Sequence, residues 1–244
     1  DSAHLNRGAL KTCAACPAAD DLRARAATVQ TTTVCSLARG MVLFLHVGQG
    51  GNAVGACFWQ HAARERGPRR WLLDASGRCR CVLVDTEPKA VHAAVQAVGP
   101  QRLHARCALV ERGGRGNSWA MGYHGIAPAA RAPSGAEPGI AAAALEALRW
   151  QWERSDGIRG VVMCHALAGG TGSGLGSRLL EELRDAHPRA HLVAASVAPF
   201  AGGELPVGSY NAVLALAHLQ ARGRRPARRP RPTPTGPRGV LRDP

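Results

Sequence analysis

The run Leu167-Ala168-Gly169-Gly170-Thr171-Gly172-Ser173-Gly174-Leu175-Gly176-Ser177 constrains this chain more than any other. An apolar, strand-like run precedes it, Gly160 to Ala166. A helix-like run follows, Arg178 to His187, with Leu179, Leu180 and Leu183 on one face. Strand, glycine loop and helix in that order present free backbone N–H groups and the positive end of a helix dipole to an anion. Glycine suits such a loop because a side chain would hold the backbone away from a phosphate. Thr171 and Ser173 add hydroxyls. A purely structural turn is the plainer explanation, but the density of glycines at a strand-to-helix switch favours phosphate binding.

The loop is not a Walker A loop, because no Gly-Lys-Ser/Thr follows. Nor does it sit in the first βα turn, where a dinucleotide-binding fingerprint belongs. Other segments fit the same plan. Met41 to Val47 is an apolar run, followed by Gly48-Gln49-Gly50-Gly51-Asn52-Ala53-Val54-Gly55. Cys81-Val82-Leu83-Val84 runs into Asp85-Thr86-Glu87-Pro88. Gly114-Arg115-Gly116-Asn117-Ser118-Trp119-Ala120 follows, and Ser209-Tyr210-Asn211-Ala212-Val213-Leu214 opens a late helix.

These five segments, in this order, resemble the tubulin family. The main loop contains its Gly-Gly-Thr-Gly-Ser-Gly signature, and the others resemble its first, second, third and fifth loops. Ala168, Leu175, Glu87-Pro88-Lys89 and the run Tyr210 to Leu219 are most similar to delta-type members. The resemblance covers about residues 41–220.

It implies an α/β fold: a Rossmann-like parallel sheet with helices on both faces, of the tubulin/FtsZ nucleotide-binding type. The periodicity agrees. It predicts strands at 41–47, 81–85, 105–110, 160–166 and 190–197. Helices are predicted at 51–66, 88–97, 138–153, 174–186 and 209–220. Ligands of such sheets bind beyond the carboxyl ends of the strands, and every motif falls there.

The phosphate cradle is expected at Gly169, Gly170, Thr171, Gly172, Ser173 and Gly174. The resemblance adds Gln49 and Gly50 of the first loop and Gly116 and Asn117 of the third. It adds Glu204 as a ribose contact, although the loop Ala201 to Pro206 has diverged. Asp85 and Glu87, two residues apart at a strand end, suit Mg²⁺, which prefers oxygen ligands and retained waters. Helix-capping carboxylates are the plainer alternative; the resemblance favours the metal and makes Glu87 the closer group.

The resemblance thus implies GTP and Mg²⁺ as ligands. It implies other tubulins or centriolar and basal-body proteins as partners. The implied place is the cytoplasm and cytoskeleton (centriole, basal body, cilium), with the nucleus as a further compartment. Departures matter. Ala53 replaces a base-contacting Gln, Gly208 a polar residue near the ribose, and Arg115 a small residue in the third loop. The family's downstream base-reading residues and its hydrolysis-activating loop have no counterpart here. Guanine specificity is therefore unread, and the chain is expected to be incomplete, with neither GTP turnover nor filaments.

Outside the matched region, residues 1–40 are expected to be an extension with little fixed structure, because Met41 stands where tubulins start. Between Trp59 and Val82 the chain is shorter than the family's connection. From Arg222 to Arg242, arginines and prolines alternate with almost no apolar residues, too few to order themselves. Non-native coding sequence is the favoured explanation of the 221–244 tail, with a solvated basic arm second.

The tail and a net charge of +14 raise nucleic-acid binding, but no aromatics interleave for base stacking, which disfavours it. A dinucleotide-dependent oxidoreductase using Gly48 to Gly50 is the enzymatic alternative. The eight cysteines are scattered. Cys13-Ala14-Ala15-Cys16 has zinc-type spacing, but its companion Cys81 is needed in a strand. No apolar run approaches the ~20 residues of a membrane span, and the first residues lack a signal-peptide pattern.

Overall fold

A computed structural model describes residues 40–64, 71–125, 139–155, 157–199 and 206–223. Five parallel strands form one sheet: β1 (Met41–Val47), β2 (Cys81–Asp85), β3 (Ala108–Val110), β4 (Ile158–Ala166) and β5 (His191–Val197). Their spatial order is β3-β2-β1-β4-β5. The helices are α1 (Gly48–Arg64), α2 (Pro88–Val98), α3 (Trp119–His124), α4 (Ile140–Glu153), α5 (Gly176–Ala186) and α6 (Gly208–Gly223). A π-helical turn, Thr171–Leu175, leads into α5.

The pleat sorts each strand's side chains into two layers. In β1, Leu43, Leu45 and Val47 turn to one face. There they meet Val82, Val84, Val161 and Met163, covered by Ala144 and Leu148 of α4 and Leu179 and Leu183 of α5. Val42 and Phe44 turn to the other face with Cys81 and Leu83, under Trp59 of α1 and Val91 and Val98 of α2. Burial on both faces explains why β1 and β2 read as unbroken apolar runs. Each fully buried aliphatic side chain contributes about 1.5–3 kcal/mol.

His46 continues the second layer, fully buried. Its Nε2 accepts the indole N–H of Trp59 at 3.1 Å, and Phe44 packs edge-on against the same indole. Burial lowers the His46 pKa to about 4, and the nearby Gly51 backbone offsets only part of that effect.

The predicted elements match in order, and in kind except that the strand expected at 105–110 is a 3-10 turn over Ala105–Cys107 followed by the short β3. Two boundaries differ at the glycine loops. The first loop is already helical at Gly48, and the main loop winds into a π turn at Thr171. Glycine density reads as loop, yet here it serves close helix starts. The short helix α3 and the Leu73–Cys79 bridge have no sequence counterpart. Helix α6 runs three residues past 220. Glu204, Cys13, Cys16, residues 1–39 and residues 224–244 lie outside the described residues. Among the described residues no helix is long and apolar enough to cross a membrane.

Candidate functional site

β1 connects outward to β2 on one side, while β4 lies on its other side. The chain direction therefore diverges between β1 and β4, and the crevice where ligands of such sheets bind is expected beyond their carboxyl ends. Two helices start there. The first N–H groups of each have no intrahelical acceptor, and both dipoles direct positive ends into the crevice.

Glycines allow the two starts to touch. Gly48 has φ +74°, and a Cβ on it would lie 2.9 Å from the amide nitrogen of Gly172. A Cβ on Gly172 would lie 2.8 Å from the carbonyl of Ala166. A Cβ on Gly169 would meet nothing within 4 Å, so this part of the loop faces open space. Gly174 has another role. Its Cβ would stand 2.1 Å from the carbonyl of Trp119, so it packs the π turn against α3. Gly122 of α3 faces Gly170 in the same way.

The hydroxyls are committed differently from each other. Thr171 Oγ1 and Thr86 Oγ1 are 2.7 Å apart, joining the main loop to the β2–α2 loop. Ser173, fully buried, donates its hydroxyl to the carbonyl of Gly169 and braces the loop from inside. His165 lies beneath: one ring nitrogen is 2.9 Å from the carbonyl of Gly172 and the other 2.8 Å from Ser196 Oγ. Burial lowers its pKa, so the neutral ring links the loop to β5.

The carboxylates sit at two depths. Asp85 is buried; Oδ1 accepts from the Thr86 amide at 2.7 Å, while Oδ2 has no partner. Desolvation raises its pKa to about 6. Glu87 is exposed at the start of α2. Asn52 of α1 donates to the carbonyls of Gly48 and Val84, tying the first loop to β2. No group of three His, Cys, Asp or Glu side chains is gathered for a metal among the described residues. Magnesium asks less of a protein, since one or two carboxylates suffice when phosphates and waters complete its shell.

The third loop is held by a residue that the sequence reading placed only within a motif. Asn211 of α6 donates to the carbonyls of Asn117 and Ala168, both at 2.7 Å, and accepts from the Trp119 amide at 2.9 Å. Asn117 takes a left-handed φ of 50°, and Gly116 one of 52°. Gln49, Gly116 and Asn117 are exposed around the mouth, and Gly50 is half-buried. The structure thus brings together residues 49–50, 85–87, 116–117 and 169–173. A buried acceptor without a partner, a loop segment open to solvent and two converging helix starts fit a polyphosphate with a hydrated cation.

Comparison with known proteins agrees with this arrangement. The Tubulin/FtsZ family, GTPase domain, matches residues 41–223. A tubulin gamma chain from Candida glabrata is 30% identical over 211 residues, covering 74% of this chain. The chain spans 42% of the length of that relative. With the parallel sheet, the glycine loop after β4 and this match over most of its length, the chain belongs to the Tubulin/FtsZ family through its GTPase domain.

Proposed function

We propose that the protein binds GTP with Mg²⁺ in the crevice between β1 and β4, as a tubulin-like component of the cytoskeleton. The observation that carries this is the contact between the starts of α1 and the π turn, made possible by Gly48 and Gly172. The backbone N–H groups of Gln49, Gly50 and Gly169 to Gly172 bind the phosphates there. The Thr86–Thr171 hydroxyl pair orients them, and Gly116 and Asn117 close the mouth. Glu204 is assigned to the ribose by resemblance alone.

Asp85 and Glu87 hold the cation, which when bound neutralises charge on the outer phosphates. The unpartnered Oδ2 of Asp85 gives it the larger part. The glycine loop follows β4 rather than β1, which favours GTP over a dinucleotide.

Other tubulins are the partners that the family suggests. The delta-type reading of Ala168, Leu175 and the start of α6 extends this to centrioles, basal bodies and cilia. The gamma-chain relative supports the family without choosing that subtype. A fluorescence titration of the 244-residue chain with GTP, ATP and NADH, each with Mg²⁺, tests the nucleotide. Saturable GTP binding that NADH does not displace is expected. Tighter NADH than GTP binding overturns the proposal.

A further inference from the structure

One loop residue fits neither the glycine cradle nor the hydrophobic layers. Arg115, between β3 and α3, has a side chain only 4% exposed. A long cation on a connecting loop ordinarily keeps its head in water. Here the head is held inside. Nη1 donates to the carbonyl of Gly114 at 2.9 Å, and Nη2 to the carboxylate of Glu111. Nε is buried and has no partner. An unmade hydrogen bond on a buried guanidinium is costly, and it points to an acceptor that arrives from outside the chain.

The position of the residue identifies that acceptor. A Cβ on Gly170 would lie 2.9 Å from both Cβ and O of Arg115, so the stem stands against the glycine loop. The same segment is laid over the carboxylate-bearing loop. The Glu111 amide donates to the carbonyl of Asp85 at 3.1 Å, and the Gly114 amide to that of Thr86 at 3.3 Å. Arg115 therefore occupies the corner where the glycine loop and the Asp85–Glu87 loop meet. In triphosphate chemistry a metal bridges the two outer phosphates. The corner beside the metal-binding carboxylates is thus the corner of the terminal phosphate.

We infer that Arg115 binds the terminal phosphate of a nucleoside triphosphate, and that Glu111 holds its guanidinium ready until that phosphate arrives. The inference rests on the nucleotide-binding proposal above. Nε and Nη2 share one edge of the planar guanidinium, the fork that matches two phosphate oxygens. Nε is already vacant. Nη2 is held only by Glu111, whose side chain is 36% exposed and keeps its hydration when released. A diphosphate leaves this corner empty, so Arg115 distinguishes GTP from GDP.

The test measures GTP and GDP affinity, each with Mg²⁺, for the full chain and for Arg115→Gln and Glu111→Gln. The wild type is expected to prefer GTP. Arg115→Gln should lose about 10- to 100-fold in GTP affinity, the range of a charge-assisted hydrogen bond, with GDP affinity little changed. Glu111→Gln should widen the preference for GTP. Equal losses for both nucleotides in Arg115→Gln, or no loss, overturn the inference and leave nucleotide binding standing. A wild type that binds neither nucleotide overturns the nucleotide-binding proposal and this inference with it. If Arg115→Gln fails to fold by circular dichroism, Glu111→Gln decides, and an unchanged preference is then the overturning result.

Discussion

A Cβ on Gly48 would stand 2.9 Å from the amide nitrogen of Gly172, so two helix starts meet backbone to backbone. Gly48→Ala is expected to cost about 1–2 kcal/mol for its left-handed φ alone, and Gly172→Ala about 1–3 kcal/mol from crowding Ala166. Both should weaken GTP binding at least about tenfold by closing the cradle. Gly77→Ala is the control: its φ is +79° but its Cβ would meet nothing. It should lower stability in urea and leave GTP affinity alone. Wild-type affinity in both cradle variants would move the phosphate site elsewhere.

Asn211→Ala removes two donated hydrogen bonds and one accepted hydrogen bond. A loss of about 1–3 kcal/mol in urea unfolding is expected, since the Trp119 amide is buried and the other two groups are part-buried. Asn211→Asp should be no milder. It retains the acceptor for Trp119 but turns oxygen toward two carbonyls. Faster amide exchange at Asn117 to Trp119 should accompany both.

Magnesium should raise the melting temperature of the GTP-loaded chain. At about 100 times its dissociation constant, a ligand adds about 2.7 kcal/mol. Asp85→Asn is expected to abolish that rise and Glu87→Gln to reduce it. The family resemblance favours Glu87 as the closer group, but the unpartnered oxygen belongs to Asp85. An undiminished magnesium effect in both variants would remove the cation from this site.

Acid should destabilise the fold through His46. Its folded pKa, about 4, lies below the unfolded value of 6.5. The unfolded chain therefore binds this proton first, and the contribution of His46 falls as pH drops from about 6.5 to about 4, then levels off. The loss from His46 is about 3 kcal/mol at most, and His165 acts in the same direction. Asp85, with its pKa raised to about 6, takes its proton first in the folded chain and acts in the opposite direction. Across that range the denaturant midpoint of the wild type should fall relative to that of His46→Gln as pH drops, with the Asp85 contribution common to both. An unchanged difference between the two would place the acid sensitivity elsewhere.

The centre of the sheet was legible because β1 and β2 are buried on both faces and read as apolar runs between glycine-rich turns, whereas β5 is largely exposed. The converging loops were legible for the same reason, since each motif ends a strand. What a glycine does was less so. Gly172 and Gly174 look alike in the sequence, yet one closes on the backbone of Ala166 while the other packs against Trp119. His46 and His165 gave no local sign that they are buried or that they partner Trp59 and Ser196. Asn211 gave no local signal of its role. Its partners lie 92, 94 and 43 residues away, a distance that spacing rules do not reach. Helix α3 spans six residues, too few to show a period.

Asn211 also makes α6 a lever. The helix carries Tyr210 and Val213 on its outer side, 74% and 66% exposed, and grips the third loop and the main glycine loop with one amide from its inner side. A hydrogen bond tolerates only a few tenths of an ångström of stretch. A push on the outer side that shifts the first turn of α6 must carry Asn117 and Ala168 along or release them. One side chain thus joins the first turn of α6 to both Asn117 and Ala168.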